Sequence, residues 1–415
     1  MGKKDLLSTE PYKGVRDFYP EDQAFLNYLI ATFRGALERW GYVEYNASIL
    51  EPSEIYKAKG SENEEVVREQ TYTFVDRGER EVTLRPEMTP TVARMVAGRR
   101  RELGFPLRWY SIPNCFRYER PQRGRLREFW QLNVDIFGSS SLAADAEIIA
   151  VSHAIMMALG AKQSDFIIKL GSRMYLDTLM QNLNFDEVQG KKLLILLDRS
   201  SKMPAGDFER ELGEMGVSLE MLSPKTPPQD VLDVMERLKM MGIENAVFDL
   251  GVVRGFDYYT GVVFEIFDTD PKNSRSIFGG GRYDNLLALF DDEKVPAVGA
   301  AAGDETLRNF LETRNLMPTY LPPTKVYVAL TSESLVKEAN KVAETLRQGG
   351  VAVSVDFGEK KLSDQIKTAT KHKIPYLLVV GENELSSGTF VVRDLVSGEE
   401  KSLSRDGLLS FFLNL

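Results

Sequence analysis

The sequence predicts an α/β protein whose larger N-terminal part is an α+β fold and whose C-terminal part is a smaller α/β domain. Three observations support this prediction. An amphipathic helix opens the chain, short extended runs follow it to about residue 137, and strand and helix patterns alternate regularly after residue 321. Alternating strands and helices are typical of a sheet with helices packed on its faces.

The first predicted helix begins at Pro20 and ends at Gly41. Proline fits the first turn of a helix, and the acidic Glu21 and Asp22 suit the positive end of the helix dipole. Apolar side chains then recur at four-residue spacing, at Phe25, Leu29, Phe33 and Leu37. We expect this apolar face to pack against a sheet.

The elements that follow in the N-terminal part are shorter. Residues 166–245 contain strongly apolar helical stretches and few strand signals, which predicts a helical insertion. Helices are also predicted at 89–96 and 144–159 and from about Gly303 to Arg314. Extended runs are predicted at 42–50, 70–74, 81–84, 107–119, 128–137, 246–253 and 258–268.

A linker at Leu321-Pro322-Pro323 separates the C-terminal part. The order of elements beyond it predicts a small α/β domain with a largely parallel sheet. Strands are predicted at 325–330, 351–357, 376–380 and 390–394, and helices at 333–348, 362–371 and 406–413.

The scarcity of histidine and cysteine narrows the possible chemistry. The 415 residues include two histidines, His153 and His372, and one cysteine, Cys115. A structural zinc site needs four Cys or His ligands and a disulfide needs two thiols, so we expect neither. Because the sequence has no run of about 18 apolar residues and no apolar signal segment, we expect a cytoplasmic protein without a membrane span.

Positive charge is concentrated in one segment of an acidic chain. Residues 94–127 contain ten arginines, two glutamates and no lysine, a local charge of +8 in a chain of net charge −9. Arginine binds phosphate or carboxylate through two parallel hydrogen bonds, which lysine cannot do. A solvated helix face would explain Arg99–Arg101. The arginines within 117–127 are interleaved with aromatic residues, which favours a phosphate-binding hairpin.

The strongest motif is FRYERPQRGRLREFWQLNVDIFG, residues 116–138. A loop with Pro121 and Gly124 joins two extended runs. The spacing of two residues along each run places a set of polar side chains on one face of the hairpin. A surface ladder of cross-strand ion pairs is the alternative explanation. The set consists of Arg117, Glu119, Gln131 and Asp135.

Three further motifs are weaker individually. LRPEMTP (84–90) places Glu87 and Thr89 at the start of a helix, where helix capping alone would explain them. VVRGFDYYTGVVFE (252–265) places an arginine in an apolar context, where it needs a counter-ion. FGGGRYD (278–284) allows close approach of a ligand to the backbone, or forms a tight turn into a helix. It matches neither a P-loop nor a dinucleotide-binding fingerprint.

Together and in this order, the motifs resemble those of the histidyl-tRNA synthetase family, in the bacterial form of this class II synthetase. KGVRDFYPED resembles the family's N-terminal segment, and residues 116–131 resemble its motif 2. RGFDYYTGVVFE and GGGRYD resemble its two histidine-specific signatures. The resemblance runs from about Tyr12 to the C-terminus. It implies a class II antiparallel sheet flanked by helices, with a catalytic core at 1–165 and 246–320, a helical insertion at 166–245 and an anticodon-binding domain at 321–415.

The resemblance also implies a reaction and a set of site residues. The chain would activate L-histidine with ATP and Mg²⁺ and transfer the histidyl group to tRNA(His). Arg117 and Arg254 would be catalytic, and no metal-binding residue is assigned. Histidine would contact Glu87, Thr89, Arg117, Gln131, Asp135, Arg254, Tyr258 and Tyr259. ATP would contact Arg117, Glu119, Arg125, Phe129 and Arg282, with Arg125 at the γ-phosphate and Phe129 stacked on adenine.

The sequence departs from the family pattern at two places. Motif 1 carries a proline near the dimer interface, and Ser48 stands there in this chain. Motif 3 ends in an arginine that contacts ATP, and Thr306 stands there, with Arg308 nearby. We still expect a homodimer, and we expect an arginine from elsewhere in the chain to bind the outer phosphates.

Two other functions fit parts of the sequence. Catalytically silent relatives of the family serve as a regulatory subunit of ATP phosphoribosyltransferase or as tRNA-sensing modules. The regulatory subunit typically lacks the C-terminal domain, whereas this chain has one and keeps Arg117, Arg254 and the YYTG segment. The third possibility, an α/β protein that binds another nucleotide, would require the order of the four motifs to be chance. The enzyme is therefore favoured.

Overall fold

A large, mostly antiparallel sheet organises the N-terminal part of the chain. The computed structural model describes residues 7–57, 70–200, 203–222, 224–253, 258–290, 293–358 and 360–414. The chain divides into two units between Pro318 and Thr319. The strands of the first unit are β1 (Val43–Glu44), β2 (Leu50–Pro52), β3 (Tyr72–Val75), β4 (Glu81–Leu84), β5 (Leu107–Ser111), β6 (Asn114–Phe116), β7 (Glu128–Phe137), β8 (Phe166–Ser172), β9 (Ala246–Phe248), β10 (Val262–Asp268), β11 (Ser276–Arg282) and β12 (Ala297–Gly303).

The order of strands in the large sheet is β1-β5-β7-β12-β11-β10-β8-β9, with β6 attached to β7. Neighbours are antiparallel except for β1 with β5 and β8 with β9. In the centre, Asp135 of β7 lies opposite Gly299 of β12, which lies opposite Gly281 of β11. The expected antiparallel core is thereby confirmed. A separate small sheet has the order β2-β4-β3.

Helices of the first unit contribute to three apolar clusters. Helix α1 begins at Pro20 as predicted, and its Leu29 is fully buried in the main core beneath the large sheet. Among the described residues, no helix is long and apolar enough to cross a membrane. The helices are α1 (Pro20–Glu38), α2 (Glu54–Lys57), α3 (Thr89–Arg99), α4 (Leu142–Ala158), α5 (Arg173–Asn182), α6 (Glu187–Arg199), α7 (Ala205–Glu214), α8 (Leu219–Leu222), α9 (Gln229–Met240) and α10 (Asp304–Thr313).

The prediction of a helical segment at 166–245 is wrong for Phe166–Ser172, which is β8 and lies between β10 and β9 in the large sheet. Burial alternates along the first part of this strand, as period two requires, but the run is too short to outweigh the helical pattern behind it. Helices α5 and α6 pack with Leu212 and Leu222 around a separate apolar cluster. Helix α9 buries Val234 in the main core instead.

The glycine-rich motif is also a strand rather than a turn into a helix. Residues 278–282 lie within β11; all five pair with β12, and residues 278–281 also pair with β10. A Cβ atom on Gly280 would lie 2.1 Å from the carbonyl oxygen of Gly299, so the closeness of the neighbouring strand requires glycine there. The glycines therefore serve close strand packing.

The second unit has a five-stranded sheet of order β14-β13-β15-β16-β17. The strands β14, β13 and β15 are parallel, whereas β16 and β17 are antiparallel. The prediction of a largely parallel sheet is thus wrong for half of the pairings. Strand β17 was not predicted, because its sequence EKSLS is polar and mostly exposed. The elements are β13 (Val326–Leu330), α11 (Val336–Gln348), β14 (Val353–Val355), α12 (Leu362–Lys371), β15 (Tyr376–Val380), α13 (Glu382–Ser387), β16 (Thr389–Asp394), β17 (Glu400–Ser404) and α14 (Arg405–Leu413).

Candidate active site

A cavity of about 1030 Å³ lies over the centre of the large sheet. Its floor is formed by residues of β11 and β12 with minimal side chains, among them Gly279, Gly299 and Ala301. A Cβ atom on Gly299 would lie 2.0 Å from Oδ1 of Asp135. Space alone therefore requires glycine at this position, and much of the floor is backbone.

Alternate side chains of β7 form one wall of the cavity. Phe129, Gln131, Asn133 and Asp135 all line it, as period-two geometry requires. Asp135 is 4% exposed, and its Oδ1 accepts a hydrogen bond from the Tyr283 hydroxyl at 2.5 Å. Burial raises the pKa of Asp135 to about 7, although the bond from Tyr283 opposes the rise. A surface ladder of ion pairs does not explain this buried face.

Aromatic side chains surround the end of the cavity at Asp135. Tyr258, Tyr259 and Tyr283 line it and are each less than 8% exposed. The ring centroids of Tyr258 and Tyr259 are 4.8 Å apart, and those of Tyr258 and Tyr283 are 5.8 Å apart. The tyrosine rings enclose this end of the cavity, and their hydroxyl groups and the Asp135 carboxyl supply its polar groups. Such a pocket can distinguish a ring that carries hydrogen-bonding nitrogens from one that lacks them.

Arg117 enters the cavity at the other end of the same wall. Its Nε donates to the carbonyl oxygen of Pro86 at 3.0 Å, and its guanidinium lies 5.3 Å from the centre of the Phe129 ring. Its Nη atoms have no partner among the residues that the structure describes. The bond to Pro86 and the ring contact fix the orientation of the guanidinium while two donor groups still face the cavity.

Glu87 and Thr89 reach the cavity from the start of α3. Capping of this helix does not account for them, because Met88 is the N-cap residue and no side chain caps the helix. Glu87 is 9% exposed, so its carboxylate is held in the cavity wall rather than in bulk water. A buried anion here suits a cationic group in the cavity.

The tip of the arginine-rich hairpin contributes a second cation. Arg125 lines the cavity and forms an ion pair with Glu119, which is 7% exposed. Gln122 and Arg125 pair across the tip, and Gly124 between them has a φ of 73°, which favours glycine. Oε2 of Glu119 is buried and makes no hydrogen bond of good geometry, although Arg125 lies against it.

Other arginines of the segment 94–127 have structural roles. Arg127 is 9% exposed, lies 4.0 Å from the centre of the Tyr118 ring and donates to the carbonyl oxygen of Glu119 at 3.2 Å. Arg108 pairs with Glu147 through two hydrogen bonds of 2.6 and 2.8 Å. Of the ten arginines in this segment, only Arg117 and Arg125 line the cavity, so phosphate binding stays a prediction for these two.

The prediction that Arg282 binds ATP is wrong. Its guanidinium lies outside the cavity, 5% exposed, where it forms an ion pair with Asp145. The remaining N–H groups donate to Asp284 and to the carbonyl oxygens of Ser139 and Ser141. All five donors of the guanidinium are thus used, and none can bind a phosphate.

Arg254, predicted to be catalytic, lies outside the described residues. Apart from Arg254 and Arg282, the predicted residues do meet in one cavity. They are Glu87, Thr89, Arg117, Glu119, Arg125, Phe129, Gln131, Asp135, Tyr258 and Tyr259.

Some cavity residues were missed by sequence reasoning. Asn133 shares the period-two pattern of β7 and could have been found from it. Asp304 lines the cavity and accepts from Arg16 at 2.6 Å and from the backbone N–H of Trp130 at 3.0 Å. Arg16 belongs to the N-terminal motif KGVRDFYPED, which thus contacts the cavity wall. Arg275 also lines the cavity, and it follows a polar stretch that gave no signal.

Comparison with known proteins relates this geometry to a family. A histidyl-tRNA synthetase family model matches residues 14–206 and 214–307, and an anticodon-binding domain model matches residues 325–415. The chain is 39% identical to a histidine–tRNA ligase of Leptospira biflexa, with 97% of each chain covered. It is 34% identical to a histidine–tRNA ligase of Pyrococcus furiosus, with 98% of this chain and 99% of the other covered.

A solved structure agrees with these sequence matches. The crystal structure of histidyl-tRNA synthetase from Nostoc sp. PCC 7120 superposes with a TM-score of 0.82 at 26% identity and covers 99% of this chain and 100% of that one. The likeness therefore extends over both units in sequence and in fold. The chain belongs to the histidyl-tRNA synthetase family.

Proposed function

We propose that the chain joins L-histidine to the 3′ end of tRNA(His) in two steps that consume ATP. The observation that carries the proposal is the single cavity, in which Arg117 and Arg125 line one end and the buried Asp135–Tyr283 pair lines the other. Cations suit a triphosphate, and buried polar groups suit an imidazole. Full-length similarity to histidine–tRNA ligases supports the same function.

In the first step the histidine carboxylate attacks the α-phosphorus of ATP. A new bond forms between carboxylate oxygen and phosphorus, the bond to the β-phosphate oxygen breaks, and pyrophosphate leaves. No protein base is needed, because the carboxylate is already ionised at neutral pH. Neither His153 nor His372 lines the cavity, which is consistent with this chemistry.

Arg117 would stabilise the charge that develops at phosphorus. Its two Nη groups can bridge a carboxylate oxygen and an α-phosphate oxygen, since Nε is already held by Pro86. Arg254 would approach the same phosphate from the other side. Replacing Arg254 with alanine should lower the adenylation rate by roughly 10²- to 10³-fold, by analogy with loss of one oxyanion donor. Near wild-type pyrophosphate exchange in that variant would refute the role.

The histidine side chain would lie at the Asp135 end of the cavity. Neutral imidazole has one N–H donor and one nitrogen acceptor. Asp135 and Gln131 offer groups for both, and Tyr258 and Tyr259 would enclose the ring. Glu87, with Thr89, would hold the ammonium group, whose positive charge matches the buried carboxylate.

ATP would extend from this end toward the hairpin tip. Phe129 would stack on adenine, and Arg125 would bind the γ-phosphate. Mg²⁺ binds hard oxygen ligands and usually reaches such sites through substrate phosphates and few carboxylates. When bound, the ion would neutralise phosphate charge.

In the second step the terminal ribose hydroxyl of tRNA(His) attacks the histidyl carbonyl and releases AMP. The C-terminal unit, whose residues 325–415 match an anticodon-binding model, would contact the tRNA anticodon. We propose that the helical insertion of the catalytic core consists of helices α5–α8 (173–222), which is shorter than the predicted segment 166–245. Contact with tRNA phosphates would make affinity fall with rising salt. We further propose that the chain acts in the cytoplasm as a homodimer.

Pyrophosphate exchange, assayed with each amino acid separately, tests the function. We expect ATP to incorporate labelled pyrophosphate with histidine alone, and we expect the Asp135→Asn variant to need far more histidine. Exchange with another amino acid would refute the substrate. No exchange with any amino acid, together with retained tRNA binding, would favour a tRNA-sensing module instead.

A further inference from the structure

Helix α10 offers no arginine to the cavity at the place where the family's motif 3 supplies one. Thr306 lines the cavity, and its hydroxyl donates to the carbonyl oxygen of Gly303 at 3.0 Å. Arg308 is directed elsewhere: its guanidinium lies 4.4 Å from the centre of the Phe25 ring, and it donates to Asp22 at 3.2 Å. If ATP binds here, its outer phosphates must meet a cation from another element.

Arg275 is positioned to supply that cation. It precedes β11 and lines the cavity, as do Ser276 and Ile277 at the start of that strand. Its Cδ lies against the backbone of Gly124 at the hairpin tip, where Arg125 also lines the cavity. Arg125 is the proposed contact of the γ-phosphate, so Arg275 lies at the nucleotide end of the cavity.

The hairpin tip and Arg275 are packed together. A Cβ atom on Gly124 would lie 3.0 Å from Cδ of Arg275, so the side-chain stem runs along the backbone of the tip. Asn273, two residues earlier, donates to Asp268 at 2.7 Å and to Thr313 at 3.0 Å. These bonds hold the segment against α10 and the end of β10, and so fix the position of the Arg275 backbone.

The charge around Arg275 is not balanced. In the described part of the chain, its guanidinium has no ion pair and no hydrogen bond. Burial and the nearby Arg125 lower the pKa of Arg275, while Glu119 opposes them. Arginine nevertheless stays protonated in proteins. Glu119 is thus paired with Arg125, and the Arg275 guanidinium beside them keeps a positive charge that suits an anion.

We propose that Arg275 binds the outer phosphates of ATP together with Arg125, and that it takes the place of an arginine at position 306. The inference rests on the proposed function for the identity of the nucleotide. Its physical basis is the half-buried, unpaired guanidinium beside a second cation. A nucleotide with β- and γ-phosphates would satisfy both groups, whereas AMP would reach neither.

Calorimetric titration with ATP–Mg²⁺ and with AMP, both without histidine, tests the proposal. Arg275→Ala should weaken ATP binding by roughly 10- to 100-fold, the effect of losing a hydrogen bond to a charged group, and leave AMP binding unchanged. The matched control is Lys272→Ala, which removes one positive charge from an exposed residue of the same connection. It should change neither affinity.

Equal weakening of ATP and AMP, or unchanged ATP binding, would overturn the proposal. Arg275→Lys should fall between wild type and the alanine variant, because it keeps the charge and loses the fork. Adding Thr306→Arg to the Arg275→Ala variant should restore at least part of the ATP affinity; no restoration would refute the idea that one residue replaces the other. Failure of histidine-dependent exchange in the wild type would refute the proposed function but leave the difference between ATP and AMP intact.

Discussion

Asp135→Asn should make the protein more stable at neutral and alkaline pH while impairing histidine binding. Asp135 is 4% exposed and its pKa is raised by burial to about 7, from an ordinary 3.8. Its only recorded side-chain hydrogen bond among the described residues comes from Tyr283. Asparagine has almost the same shape, can accept the same bond and cannot ionise.

The direction and the magnitude of this change in folding stability follow from proton linkage. Between pH 3.8 and about 7 the folded chain keeps a proton on Asp135 that the unfolded chain has released. Stability therefore falls as pH rises through this range, and above pH 7 the full cost of ionising the buried carboxyl remains. Three pKa units correspond to on the order of 4 kcal/mol, which Asp135→Asn should recover at pH 8.

The assay is thermal unfolding of both proteins at a series of pH values. The difference in Tm between variant and wild type should be near zero at pH 4, grow up to about pH 7 and then stay constant at several degrees. Asp177→Asn, at an exposed helix position, is the control and should show no such growth. A difference independent of pH, or a variant less stable than wild type at pH 8, would refute the reasoning.

Three other substitutions separate binding from structural roles. Gln131→Ala should raise the KM for histidine roughly tenfold, as loss of one hydrogen bond predicts, and leave the KM for ATP unchanged; equal effects on both would contradict its place in the histidine pocket. Arg282→Ala should lower stability by about 3–5 kcal/mol in urea unfolding, because Asp145 is left buried without its partner. Replacing both Arg282 and Asp145 with the apolar residues Met and Leu should recover most of the lost stability. An unchanged urea midpoint in Arg282→Ala would contradict the structural role of Arg282. Gly299→Ala places a methyl group 2.0 Å from a carboxylate oxygen of Asp135, so it should displace that side chain and raise the KM for histidine. Overpacking that costs about 1–3 kcal/mol corresponds to an increase of roughly 5- to 150-fold. Gly35→Ala, with no atom within 4 Å of its Cβ, is the matched control, and equal effects would show that the contact is unimportant.

Local patterns in the sequence predicted the elements whose signals are long. Helix α1 begins at Pro20 because proline, acidic residues and an apolar repeat agree there. Strand β7 has the predicted bounds, Glu128–Phe137, because the run is long and rich in aromatic and β-branched residues. Phe166–Ser172 is a short strand in front of strong helical patterns, and its role depends on strands distant in sequence.

The errors at single site residues have a common physical cause. Arg282 belongs to a motif that resembles a family signature. In strand β11, however, Gly279 faces the cavity, and side chains alternate between the two faces of a strand, so Arg282, three residues later, points to the opposite face. Arg275 comes from a polar stretch that resembles an ordinary loop, and only its packing against Gly124 of the hairpin tip, distant in sequence, shows that it lies at the cavity. A motif identifies a segment, but pairing with distant strands decides which side of that segment faces the cavity.

The backbone floor of the cavity restricts how its specificity can change. Because Gly279 and Gly299 have no side chains to trim, no mutation at these positions can enlarge the space above them. Any replacement acts as a wedge that excludes larger ligands. Acceptance of bulkier histidine analogues must therefore arise from the walls, by shortening Tyr258 or Tyr259. Substitutions at the floor can only reduce the size of the ligands that the cavity accepts.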